Sequence, residues 1–571
     1  MKVITCLFVF SVALGQAVAE GDWPAFRGPK ALGVSDNANL PIEWSDKKNV
    51  EWKAAVPGLG WSGPVVHSGR VYLTTAVSDG EFEKRKPGLY FGGERREPIK
   101  HMHHFLVLCL ELETGEFLWQ KEVLAARPLT PIHVKNSYAA ETPVTDGERV
   151  YAYFGSHGLY CLDKTGKVIW KKMFKPYKMR NAWGTGASPV LAGNQLIIVN
   201  DNEEESWVAA FDKLTGRELW KTKRDEPSNW ATPFVWKHDG GKELVLSGRR
   251  RTRSYDLSGK ELWSFQWKTK TSIVIPTPFA AHGLLYVASG YVGDREKHVY
   301  AIRPGAKGDI SIHSGEDSNK FVAWYDKRAA PYNPTPLVYG DEFYTLYDFG
   351  FLACRDARTG KLHYGKERIN PDKPAGFTAS PWAYRGHVFA LSEAGDTYVF
   401  KAGKKYKLVR VNHTGGMSMA NPALTGDRLL IRNQTHLFSI REKKERLAKC
   451  LALFPFSLHP GFRLGSAGFL FALRPADLFP GRRVGRGRQY LDRHVLDLNQ
   501  RLAVAVNLEA DLPVLRDVRL GLRVVEGGHA VDPRADARAL GADAVVVPAV
   551  LLDGAVDRVR VGGLANHFSA A

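Results

Sequence analysis

ETPVTDGERVYAYFGSHGLYCLDKTGKVIW, residues 141–170, reads as four short strands. ETPV leads in through a Pro, and Asp146-Gly147 is a hairpin signal, because the tight turn needs positive φ at its Gly. RVYAYF alternates in period 2, Ser156-His157-Gly158 turns the chain again, and LYCL is the third strand. Thr165-Gly166 then opens the turn into KVIWKKMF, the fourth. One sheet of this size cannot bury either face alone, so it needs copies of itself.

The copies are present. With the Pro that opens each unit as a ruler, they start at Pro64, Pro143, Pro189, Pro233, Pro278, Pro336, Pro381 and Pro422. Five of the seven spacings are 41–46 residues, and the other two, 79 and 58, contain insertions. The turn into the fourth strand recurs as LETGEFLW (112–119), DKTGKVIW (163–170), KLTGRELW (213–220), LSGKELW (257–263) and RTGKLHY (358–364). A four-stranded repeat with a turn Gly and a Trp four residues on is a propeller blade rather than a helical solenoid. The eighth unit (420–443) supplies three strands and stops, while VEWKAAV (50–56) aligns with VIWKKMF (168–174). The expected fold is all-β: an eight-bladed propeller of four-stranded antiparallel blades over 49–445, its last sheet closed by an N-terminal strand.

Residues 1–19 carry Lys2, the apolar run 3–15 and the small-residue site Ala17-Val18-Ala19, the pattern of a secretory signal peptide cut after Ala19. No later stretch has eighteen consecutive apolar residues, so a periplasmic or secreted protein without a transmembrane segment is expected. Net charge is +19, of which +16 falls in residues 1–449. For an exported chain this suits a protein or anionic polymer ligand rather than nucleic acid; solubility alone is the competing explanation. A monomer is expected. Cys109, Cys161 and Cys354 hold equivalent third-strand positions in different blades, too far apart to bridge, and read as small buried thiols. No CxxC or other metal spacing occurs, so no metal site is expected.

Residues 20–48, with GDWPAFRGPKALG, form a Gly- and Pro-rich lead expected to wrap the outside of the ring. The blade-one insertion (78–104) brings His101, His103 and His104 without spaced acidic or Cys partners, and reads as a solvated basic loop. The blade-five insertion (303–320) reads as a surface loop ahead of Trp324. From 450 onward Lys, Ile, Thr, Trp and Met vanish and the repeat landmarks with them. Residues 446–571 are therefore expected to be a tail without a unique fold, from translation past the natural end, rather than an appended domain.

The repeat resembles that of the quinoprotein dehydrogenase-like (PQQ-like) propellers, and the likeness extends over about 22–443, from WPAFRGP (23–29) through 135–161. That family includes pyrroloquinoline quinone alcohol dehydrogenases and the non-enzymatic propeller of the outer-membrane assembly machinery. The resemblance implies that fourth-strand indoles pack between blades against the Thr-Gly turn of a neighbour. Trp52, Trp119, Trp170, Trp220, Trp263 and Trp324 fit that structural role, with Tyr364 in blade six and no clear counterpart in blade seven. The dehydrogenases also carry a vicinal Cys pair over the quinone and a catalytic Asp beside calcium. No adjacent Cys pair exists here, and the acids Asp201, Glu203–205, Asp348, Glu393 and Asp396 match no such motif.

Segments entering each first strand gather on one face of a propeller, around the central opening. There, aromatic bodies beside amides make a plausible recognition surface. The candidates are Trp61, Asn136, Tyr138, Trp183, Asn229, Trp230, Tyr332 and Asn333, joined by Arg249 and Arg250; packing at the blade joints is the alternative role. The expected function is a non-catalytic exported scaffold with no cofactor and no catalytic residue. The alternative is a periplasmic oxidoreductase using pyrroloquinoline quinone and calcium on alcohols or sugars.

Overall fold

The computed structural model describes residues 21–442 except 38, 82, 92–96 and 373–374, together with 519–526, 529–531 and 546–551. The expected signal peptide lies outside the described residues.

Eight sheets follow one another along 50–441, each built on four antiparallel strands in chain order except the last, and the fourth sheet gains one extra strand. Blade two shows the pattern: Val144–Thr145, Arg149–Tyr153, Leu159–Asp163 and Val168–Lys172, with Val144 opposite Tyr151, Tyr151 opposite Cys161 and Cys161 opposite Trp170. First strands of neighbouring blades approach each other, 65–67 meeting both 144–145 and 423–425, so they line the axis. Blade eight combines Ala423–Thr425, Arg428–Arg432 and His436–Arg441 with Val50–Ala55 as its outer strand. The last blade is thereby completed by the other end of the propeller segment, which closes the ring and leaves each blade only a short outer edge.

The core is divided among the joints. One buried cluster joins blades one and two, another blades two and three, and so on round; the largest takes in blades seven, eight and one. The splayed outer part of each wedge is filled by the fourth-strand aromatic. In all eight blades a β-bulge lies just before that position: Cys109 faces Trp119, Cys161 faces Trp170, Ala210 faces Trp220, and Ser439 faces Trp52. A bulge re-aims the following side chain, here toward the neighbour, and throws its own residue outward, leaving Leu118, Ile169 and Leu219 exposed. The same pairing explains the cysteines. Cys109, Cys161 and Cys354 are buried free thiols lying opposite the docking aromatic, where only a small side chain fits.

Five indoles donate Nε1–H to the next blade's turn: Trp52 to the Leu112 carbonyl, Trp119 to Lys164, Trp170 to Lys213, Trp220 to Leu257 and Trp324 to Ala357, at 2.9–3.1 Å. Each lies flat on the turn glycine; a Cβ on Gly216 would sit 2.7 Å from the Trp170 ring. Trp263 departs from this scheme. Blade five has its insertion where the turn should be, and Trp263 donates instead to Glu243 of its own sheet at 2.7 Å. That insertion is no plain surface loop: Gly308–Asp309 adds a fifth, parallel strand to blade four, and Ile310 and Ile312 are buried. In blade seven the docking position is Arg410, paired with Glu43 of the lead at 2.8 Å.

Only the end of the lead runs along the outside, Glu43 and Trp44 meeting Arg410 and Asn412 of blade seven's outer strand; its first part does not. Trp23 bridges to Val66 of blade one, the Pro24 carbonyl accepts from Thr145 of blade two, and Val34 and Ser35 meet Ala383 of blade seven. All of these partners are on or beside first strands, so residues 21–35 plug the axis. Arg27 is the pin: buried, with φ at 58°, its guanidinium donates to the carbonyls of Ala31, Leu32, Thr335 and Pro336. Among the described residues no carboxylate compensates it, and burial lowers its pKa to about 9. The chain then leaves along blades seven and eight, Trp44 stacking on Phe389, to enter the closing strand.

Residues 446–571 form a separate unit. Described there are the strands Arg519–Glu526, His529–Val531 and Val546–Leu551, paired as one antiparallel sheet; the rest of the expected tail lies outside the described residues. No helix among the described residues is long and apolar enough to cross a membrane.

Candidate ligand mouth

The residue before each ruler Pro is held extended by the ring that follows, and it stands ahead of the sheet with no ladder partner for its N–H. The fold caps these groups from blade to blade. Gly63 N donates to Thr142 Oγ1 (2.9 Å), Thr142 N to Ser188 Oγ (3.0 Å), and Ser188 N to Thr232 Oγ1 (3.1 Å). Across the ring Thr277 N donates to Thr335 Oγ1 (3.0 Å), Thr335 N to Ser380 Oγ (3.0 Å), and Ser380 N to Asn421 Oδ1 (2.8 Å). This belt runs above the lead in two arcs, from Gly63 to Thr232 and from Thr277 to Asn421. The Thr142, Ser188, Thr232, Thr335 and Ser380 hydroxyls each accept along it and keep their own protons to donate.

Over this belt opens a cavity of about 520 Å³, with Phe26 of the lead among its lining residues. Its walls are Trp61, Trp183, Trp230, Tyr291 and Tyr332. The aromatics are held by bonds to backbone: Trp61 Nε1 donates to the Lys135 carbonyl (2.7 Å) and Trp230 Nε1 to Gly184 (2.7 Å). Asn136 Nδ2 ties down the Trp183 carbonyl (2.9 Å), and Trp183 lies 6.1 Å from Trp230, ring to ring.

The blade-one insertion, expected to be a solvated loop, crosses this mouth. Leu89, Tyr90 and Phe91 line it. Gly88 N donates to Glu393 Oε2 of blade seven (2.6 Å), and Lys135 Nζ grips both the Gly88 carbonyl and Glu393, each at 2.8 Å. Lys135 and Glu393 are both buried, so the pair latches the strap to the entry of blade two and to blade seven at once. His103 and His104 lie in the third strand rather than the loop; His104 contacts Glu122 (2.9 Å) and Asp79 (3.1 Å). Among the described residues no cluster of three or more His, Cys, Asp or Glu is placed to hold a metal ion.

Of the ten expected face residues, the fold brings Trp61, Asn136, Trp183, Trp230, Tyr332 and Asn333 together around the cavity. Tyr138 is instead buried in the joint of blades one and two, its hydroxyl donating to the Thr130 carbonyl (2.9 Å). Asn229 is buried beside Asp201 and donates to the Ser247 carbonyl. Arg249 and Arg250 line a separate polar hollow with Lys268 and Lys270.

The acids singled out from the sequence are engaged by protein. Asp201 is fully buried against Arg224 (2.8 Å), while Glu203–205 are exposed. Asp348 accepts from Tyr332 N (2.9 Å) and from Asn333 N (2.9 Å) and Nδ2 (2.6 Å), and burial raises its carboxyl to about 6. Glu393 holds Lys135 and also accepts from Thr378. The belt, the strap and the Lys135–Glu393 latch were missed in the sequence. The belt had a signal there: Gly, Thr, Ser, Thr, Thr, Thr, Ser and Asn stand before the eight prolines.

Fold and mouth together define a PQQ-like β-propeller. A family model described as outer membrane protein assembly factor BamB matches residues 103–229 and 204–449, and the chain belongs to that family. It is 24% identical over 274 residues to outer membrane protein assembly factor BamB of Burkholderia pseudomallei, a match covering 44% of this chain and 66% of that protein. It is 25% identical over 243 residues to 1-butanol dehydrogenase (quinone) of Thauera butanivorans, covering 40% of this chain and 31% of that one. Among solved structures it is similar to BamB from Moraxella catarrhalis (14% identity, TM-score 0.43, 60% of this chain and 92% of that one). It is also similar to quinohemoprotein alcohol dehydrogenase from Comamonas testosteroni (14%, TM-score 0.46, 79% and 82%).

Proposed function

We propose that this is an exported, non-catalytic propeller that holds a protein or polymer ligand at the aromatic mouth of its ring. The carrying observation is how the charges near the mouth are used: Asp201, Asp348 and Glu393 are each occupied by protein donors, and burial pushes Glu141, the acid beside Thr142, toward its neutral form. The one lysine of the lining, Lys135, is neutralised by Glu393. Pyrroloquinoline quinone is a polyanion bound with calcium, and it needs free carboxylates for the metal and cations for its own acids. The chain has no adjacent Cys pair, and Cys109, Cys161 and Cys354 are buried in separate blades. These residues do not fit the group.

What they fit is a ligand read by apolar area and neutral hydrogen bonds, the pattern of small-ligand and hot-spot sites. The name of the Burkholderia relative, an assembly factor, favours a scaffold; that of the Thauera relative favours an oxidoreductase. Titration of the full chain with pyrroloquinoline quinone and Ca²⁺ separates the two. We expect no stoichiometric chromophore and no dye reduction with alcohols or sugars. A bound chromophore with turnover overturns the proposal.

A further inference from the structure

Resting on the reading of the mouth as a ligand site, we propose that it takes the end of a neutral glycan chain. Two features of the cavity narrow the chemistry. Its polar groups are uncharged, a belt of hydroxyls in which Thr142, Ser188, Thr232, Thr335 and Ser380 have accepted one bond each and can still donate, with the Thr277 hydroxyl beside them. Its walls are flat indoles and phenols, and the buried Trp183 Nε1–H has no acceptor among the described residues. A sugar ring answers both. Its axial C–H faces stack on an indole, and its hydroxyls accept and donate at once, matching hydroxyls whose protons can rotate to suit.

Charge argues against an acidic ligand. A carboxylate or sulfate seated over the belt would be desolvated without a counter-ion, since Lys135 is already held by Glu393. A peptide fits less well: its amide N–H groups want fixed acceptors, and the amides of Asn136 and Asn333 already bond within the fold. Shape selects a chain end. The lead plugs the axis below and the strap crosses above, leaving a blind space within the usual 300–1,000 Å³ of ligand sites. A short run of sugar rings can enter it, and a through-passing polymer cannot.

The test applies the full chain to an array of neutral oligosaccharides attached through their reducing ends, with sulfated and uronic-acid glycans and proline-rich peptides alongside. Hits are re-measured as free trisaccharides by tryptophan emission at low and high salt. We expect at least one neutral glycan to bind with salt-independent affinity. Trp183→Ala should weaken it by about tenfold or more, and Thr277→Val, which keeps the shape and removes a hydroxyl that caps no neighbouring N–H of the belt, should weaken it without moving the unfolding midpoint. Binding confined to acidic glycans and lost in salt, binding confined to peptides, or no glycan binding would each overturn the glycan assignment. A bound quinone chromophore is a separate readout and sinks the underlying reading instead.

Discussion

Replacing Glu141 by Gln should stabilise the ring in alkaline solution and leave it unchanged in mild acid. Glu141 precedes the belt residue Thr142 and is fully buried; burial pushes its carboxyl up from 4.5 to about 7, although the Thr185 hydroxyl works the other way. The fold therefore binds this proton more tightly than the unfolded chain does. Stability must fall as pH rises from 4.5 towards 7, then level off. A rise of that size, at about 1.4 kcal/mol per tenfold, corresponds to roughly 3 kcal/mol. Gln imitates the neutral acid and should remove that slope. The assay is urea unfolding of both proteins followed by tryptophan emission. At about pH 8 the Gln variant should be more stable by up to roughly 3 kcal/mol, the gap closing near pH 4.5. A gap independent of pH, or a Gln variant weaker at alkaline pH, would refute the argument that the carboxyl is held neutral by burial.

Trp170→Ala should cost about 2–4 kcal/mol, below the figure for a fully buried indole because this one is only partly buried. Gly216→Ala should cost a similar amount by lifting the ring, with φ at 71° adding strain; thermal unfolding measures both. Lys135→Met leaves Glu393 buried and uncompensated and should cost about 3–5 kcal/mol, whereas Lys135→Met with Glu393→Leu recovers most of it. In the single variant, limited proteolysis should cut at residues 83–91 well before the blades.

The repeat was legible because a propeller writes the same physical demand eight times. Pro, turn Gly and docking Trp fall at fixed offsets, and the cysteines fall into the column of small residues beneath the indole. Legibility failed wherever a segment is used once. WPAFRGP gives no local sign that it will enter the axis, since Arg27 finds its acceptors in blade six, more than 300 residues on. The strap looked like a charged loop because its partners, Lys135 and Glu393, are separated by 258 residues. Six of the mouth residues could be picked because entry segments converge on one face. Tyr138 and Asn229 share those segments, but their side chains turn into the joints, and sequence pattern carries no information on that choice.

Everything rests on a ring sealed at blade eight. Ala55 and His436 are opposite each other in the closing pair, and facing strand residues lie within the Cα spacing a disulfide spans. Peptide mapping of the Ala55→Cys, His436→Cys variant after mild oxidation tests the closure. The account predicts an intramolecular 55–436 link in nearly every molecule and slower unfolding. Free thiols at both sites, or links only between molecules, would contradict it.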